Sequence, residues 1–210
     1  MIKILIADDH PIVRKGLREI LTEAKDLFEV QEAENGPEVL SRLEDGQHDV
    51  LVLDISMPGL SGLDVLKQIK KRKNSIPVLI LSRHSEQQYA VRSLRAGASG
   101  YLTKESAPQE LSRAIQKIAR GGKYVSASMA DQLLDYLNED STRKPHEKLS
   151  DREFQVLQMI ASGKTVGEIA EEMLLSVNTI STYRMRVLEK LNLGNNAQIM
   201  YYAMNEGLIS

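Results

Sequence analysis

Apolar positions in the first 120 residues switch repeatedly between two periods. Ile2-Lys3-Ile4-Leu5-Ile6-Ala7 is a short β-rich run, and apolar residues at helical spacing (Ile12, Val13, Leu17, Ile20, Leu21) follow from Pro11. Residues 28–33 alternate, and residues 37–43 read as a helix. Residues 50–53 and 76–81 are continuously apolar, which is how central parallel strands buried on both faces look. Helical patterns occupy residues 62–72, 85–95 and 107–120, with a short strand at 99–102 before the last. Five strands alternating with five helices predict an α/β doubly wound five-stranded parallel sheet.

The pattern changes at Gly121-Gly122, which stops a helix. Residues 138–148 are polar and contain Pro145, so they read as a linker, while residues 127–137 fit a short amphipathic helix. The rest is all helical. Ser150 to Glu153 and Thr165 to Glu168 are capping boxes, Ser176 caps a third helix running to about Leu191, and Asn195 begins a fourth. The expected partition is a phosphoacceptor domain over 1–120, a linker over 121–147 and a small all-α helix-turn-helix domain over 148–210.

Composition narrows the classes. An apolar fraction of 42% with 27% charged residues is ordinary for a globular protein. No window approaches a membrane span, the start lacks a signal-peptide layout, and cysteine is absent, so the expected location is the cytoplasm. Net charge is −2; residues 1–120 carry 18 Lys and Arg against 17 Asp and Glu, and residues 148–210 carry 6 against 7. Neither part is basic, so any DNA contact has to rest on local placement of charge.

Chemistry in a doubly wound sheet collects at the carboxyl ends of the strands. Those ends carry Asp8 and Asp9, Asp54, Ser82, and Thr103 with Lys104. Carboxylates brought together repel unless a proton or cation joins them, and an all-oxygen set favours a hard ion such as Mg²⁺. Asp54, on the central strand, is the expected phosphoryl acceptor, with Asp8 and Asp9 on the metal and Ser82 and Lys104 on the transferred group. His10 reads as a packing or surface residue. A haloacid-dehalogenase-type enzyme also uses such an aspartate but needs a general acid two residues on, where this chain has Ser56.

These marks, with Met57-Pro58-Gly59, Gly62 and Ala96-Gly97-Ala98, resemble the receiver domain of bacterial two-component response regulators. The resemblance implies a flavodoxin-like strand order, a backbone-carbonyl metal ligand at Ser56, an aromatic switch at Tyr101 and a sensor histidine kinase as phosphodonor. It also implies no enzyme beyond self-phosphorylation from a donor.

Residues 165–191 are two helices joined by Leu174-Leu175-Ser176, the spacing of a helix-turn-helix. A helical wheel puts Val177, Ile180, Val187, Leu188 and Leu191 on the core side. Asn178, Ser181, Thr182 and Met185 lie opposite with Arg186 flanking, and Thr182 and Met185 can touch a thymine methyl. Leu149 to Glu153, Ile169-Ala170, Ser176 to Ile180 and Leu188 to Leu191 are similar to the LuxR-type DNA-binding domain, which together with a receiver implies the NarL/FixJ group. Expected contacts to double-stranded DNA are Thr165, Ser176, Asn178, Thr179, Ser181, Thr182, Met185, Arg186 and Lys190. Where the family often carries lysines, this chain has Asn178 and Ser181. Arg184 turns toward the core on the wheel, which predicts a structural salt bridge. The last helix is apolar beyond the needs of a small domain, so Ile199, Met200 and Tyr202 are the expected contact of a homodimer formed on phosphorylation.

Overall fold

The continuously apolar segments are strands with no exposed residue: β3 (Val50–Asp54) and β4 (Val78–Ser82) are buried throughout. They sit at the centre of a parallel sheet ordered β2-β1-β3-β4-β5, with β1 (Ile2–Ala7), β2 (Phe28–Ala33) and β5 (Gly100–Thr103). The computed structural model describes residues 1–23, 27–83, 86–126, 130 and 144–209, in two compact units, Met1–Leu134 and Asp135–Ser210. The expected helix over 127–137 lies outside the described residues apart from Ala130.

Five helices cover the sheet: α1 (Pro11–Thr22), α2 (Gly36–Glu44), α3 (Gly62–Lys71), α4 (Glu86–Arg95) and α5 (Ala107–Ala119). Leu17 and Leu21 of α1 join Leu111, Ala114, Ile115 and Ile118 of α5 over Ile4, Ile6, Val50 and Val52. Removing these side chains from water drives the fold at roughly 25 cal/mol per Å². β4 starts two residues later than the apolar run because Pro77 has no N–H; its carbonyl accepts the Leu51 N–H instead at 3.0 Å.

After α5 the chain returns to the sheet. The Tyr101 N–H donates to the Tyr124 carbonyl and the Tyr124 N–H to the Ser99 carbonyl, both at 3.0 Å. Gly100 permits the approach, since a Cβ there would stand 2.7 Å from the Tyr124 oxygen. The pairing covers an edge strand that would otherwise offer open backbone groups. The start of the expected linker is thus part of the sheet.

In the second unit a 3-10 turn (Pro145–Lys148) precedes α6 (Asp151–Ala161), α7 (Val166–Glu172), α8 (Val177–Leu191) and α9 (Asn196–Asn205). Both expected capping boxes form: Ser150 with Glu153, and Thr165 with Glu168. Ser176 caps α8 with its hydroxyl on the Thr179 N–H, each cap contributing about 1 kcal/mol. Asn192, at φ 55°, ends α8 in the left-handed conformation.

Glu153 is buried and its carboxylate meets the Lys190 ammonium of α8 at 2.6 Å. Burial pushes this carboxyl up, but the Lys190 ammonium and the Ser150 cap outweigh it and hold it below 4.5. A lowered carboxyl stabilises the fold above its ordinary value, and that stabilisation is lost as pH falls through the lower folded value. Glu153→Gln should therefore cost about 1–2 kcal/mol at neutral pH, a buried-pair loss reduced because Lys190 reaches solvent. Calorimetry should find the gap to wild type closing as pH falls below the ordinary carboxyl range and through the lowered folded value; a gap independent of pH would remove the ion pair from the account.

Candidate phosphoacceptor pocket and DNA-binding helix

The pocket is built where three central strands end. β1 stops at Ala7 and the Asp8 N–H donates to the Ala33 carbonyl at 3.2 Å. Asp8 then accepts the His10 backbone N–H at 2.8 Å, which fixes the start of α1. Asp54 closes β3, Ser82 closes β4, and Lys104 directly follows β5, its N–H on the Ser82 carbonyl at 2.8 Å.

Lys104 reaches back across the pocket, its ammonium 2.6 Å from Asp8 Oδ2 and 3.0 Å from Asp54 Oδ2. His10 Nδ1 lies 3.2 Å from Asp8 Oδ1 and 2.9 Å from Asp9 Oδ1. Apart from these two groups and the Ser56 backbone N–H beside Asp54, Asp8 Oδ2, Asp9 Oδ1 and the Asp54 oxygens are buried with no hydrogen-bond partner among the described residues. Burial pushes the Asp54 carboxyl up to about 6, the Lys104 ammonium opposing this and the neighbouring Asp8 carboxylate adding to it. Under-bonded carboxylate oxygens within 4.8 Å of one another fit a hard divalent cation.

The structure brings Asp8, Asp9, Asp54 and Lys104 together and leaves Ser82 fully buried one strand away. Ser56 follows Asp54 by two residues with its side chain exposed. Tyr101 is wholly buried on β5. His10 belongs to the acid cluster, half-exposed, where a packing or surface role was expected. Arg14 was not anticipated: its buried guanidinium donates to the Asp8 carbonyl at 2.7 Å and to Glu32 and Glu34 at 3.1 and 2.6 Å. The signal was an arginine on the buried stripe Arg14, Leu17, Leu21 of α1.

On α8, Asn178, Ser181, Thr182, Met185 and Arg186 are exposed, as is Thr165 at the α7 cap. Ser176 and Thr179 share a hydrogen bond between their hydroxyls at 2.8 Å. Four expectations change. Val177 is 53% exposed, not in the core, because at the first helical position it overhangs the packed part of α8. Lys190 is engaged with Glu153. Arg184 donates from Nε to the Asn196 side-chain carbonyl instead of pairing with an acid. Ile199 is buried in its own unit and is withdrawn from the dimer face. Tyr202 is half-buried with its hydroxyl 2.9 Å from His146 Nδ1, whereas Met200, Tyr201 and Met204 of α9 are exposed.

Residues 4–116 match the family described as the response regulator receiver domain, and residues 147–203 match the bacterial regulatory proteins of the luxR family. A receiver and a LuxR-type output on one chain define a two-component response regulator that binds DNA. The chain belongs to this family, in the NarL/FixJ group, and is a regulator of transcription, not a conventional enzyme. It is 35% identical over 209 residues to the response regulator UvrY of Escherichia coli strain K12, covering 99% of this chain and 96% of UvrY. With the response regulator GacA of Pseudomonas aeruginosa it shares 32% identity over 210 residues, covering 100% of this chain and 98% of GacA. Among solved structures, RcsB from Salmonella enterica serovar Typhimurium bound to promoter rprA with the phosphomimetic BeF3⁻ superposes with a TM-score of 0.66. That match has 28% identity and covers 96% of this chain and 98% of RcsB. Among the described residues, no helix is long and apolar enough to cross a membrane.

Proposed function

We propose that Asp54 accepts a phosphoryl group from the phosphohistidine of a sensor kinase, and that this modification promotes dimerisation and sequence-specific DNA binding. The observation that carries the reading is the Lys104 ammonium joining the buried Asp8 and Asp54 carboxylates. An Asp54 oxygen attacks phosphorus, the P–N bond to the kinase breaks, and the imidazole leaves with a proton from solvent. Asp8, Asp9, Asp54 and the Ser56 backbone carbonyl would hold Mg²⁺, which when bound neutralises the oxygens of the transferring group. Lys104 and Ser82 hold the group once it is transferred, and Tyr101 follows the Ser82 hydroxyl to signal its arrival.

At the output end, α8 enters the major groove with Asn178, Ser181, Thr182, Met185 and Arg186 outward, and the caps at Thr165 and Ser176 lie against phosphates. The dimer contact is assigned to Met200 and its neighbours Tyr201 and Met204, 69% and 66% exposed, which with Met200 form one stripe of α9. Action on chromosomal DNA implies a cytoplasmic protein.

Gel shifts of the full chain on genomic fragments should tighten by roughly 5- to 150-fold on adding acetyl phosphate and Mg²⁺. Tyr201→Asp should lose most of that gain while leaving Asp54 phosphorylation intact. Equal affinity with and without the phosphodonor would reject the coupling.

A further inference from the structure

Several polar groups on the outer face of α8 are already engaged within the protein. The Thr182 hydroxyl donates to the Asn178 carbonyl in its own helix at 2.9 Å, which spends its proton and leaves this exposed side chain a methyl and an acceptor to offer a base. The hydroxyls of Ser176 and Thr179 bond each other at 2.8 Å. Of the three cations on α8, Arg184 is bound to Asn196 and Lys190 to Glu153. Among the described residues, only Arg186 of the three makes no hydrogen bond or ion pair within the protein. Met185, meanwhile, exposes 57% of its surface one turn beyond Ser181 and Thr182.

From these positions we infer that α8 selects its operator by contact with thymine methyl groups, and that Thr182 and Met185 are the specificity-determining residues. The inference rests on α8 being the DNA-reading helix. The methyl of thymine is the apolar group on the major-groove edge of the base pairs, and it matches a face of methyl and thioether groups. Arginine or lysine reading guanine works best from an unengaged head group, and among the described residues Arg186 is the cation of α8 whose head group makes no bond within the protein, Arg184 being tied through Nε and Lys190 through its ammonium. Asn178 and Ser181, which make no side-chain bond among the described residues, remain to fix register by hydrogen bonding. The charge balance agrees: six Lys and Arg against seven Asp and Glu over residues 148–210 leave little for counterion release, so contact has to supply the discrimination.

The test replaces thymine by uracil, which pairs identically and lacks only the methyl. Preferred sites are selected from random duplexes with the phosphorylated full chain, and each thymine of the half-site is then exchanged singly. At one or more positions the exchange should weaken binding by about fourfold, the worth of one buried methyl-sized group. That penalty should fall toward onefold in Met185→Ala or in Thr182→Ser, both exposed positions whose change spares the core. Absence of any uracil penalty, or an equal penalty in wild type and both variants, overturns the inference while DNA binding stands. A chain that selects no sequence at all overturns the reading on which it rests.

Discussion

Treated with acetyl phosphate and Mg²⁺, the wild-type chain should gain the mass of one phosphoryl group, and Asp54→Asn should gain none. The amide keeps the shape of the carboxylate but cannot form the P–O bond, so the loss is expected to be complete. Removing the nucleophile also removes a buried charge from beside Asp8, so the variant should fold at least as well as wild type. Lys104→Met should keep the acceptor and slow its reaction by about 10²- to 10³-fold, the usual cost of losing a charge-stabilising donor. An undiminished mass shift in Asp54→Asn would move the acceptor elsewhere. An unshifted wild type would sink the phosphoryl reading outright.

Gly62→Ala should be the most damaging single methyl in the receiver. A Cβ at Gly62 would stand 2.0 Å from the Asp54 carbonyl oxygen, 2.9 Å from its carbon and 3.0 Å from the Ile55 Cα. All three are backbone atoms, so no side-chain rotation can relieve the clash. The start of α3, whose Gly62 N–H donates to the Ile55 carbonyl at 3.0 Å, has to move away from the strand that carries Asp54. Urea unfolding should show a loss of about 3 kcal/mol, and phosphorylation should slow because the Asp54–Ser56 loop is displaced. Gly16→Ala is the matched control. It sits mid-helix in α1 with nothing within 4 Å of the added carbon, and should be neutral or stabilise by up to about 1 kcal/mol. Similar stabilities for the two variants would show that the close approach at Gly62 is not a constraint.

The strands were legible because burial on both faces demands unbroken apolar runs, and the acids were legible because strand ends in such a sheet converge. What the pattern missed depends on partners distant in sequence. Arg14 is explained only when β2 delivers Glu32 and Glu34 beside the end of β1. Lys190 looks like a phosphate contact until Glu153, 37 residues away, is seen under it. On α9 the apolar residues run nearly all round, so periodicity could not choose between Ile199 and Tyr201; packing against α6 does. Val177 failed for another reason: a wheel angle has no meaning for a residue that projects past its helix's neighbours.

Tyr124 has a mechanical consequence. Its two backbone bonds, to the Ser99 carbonyl and the Tyr101 N–H, bracket Gly100 at the start of β5, and its hydroxyl is held by Glu110 of α5 at 2.6 Å. A strand shift that turned the Tyr101 ring would have to drag Tyr124 along or unzip it. Either way the chain that leaves the receiver after Tyr124 would be displaced where it departs, by the same movement that turned the ring.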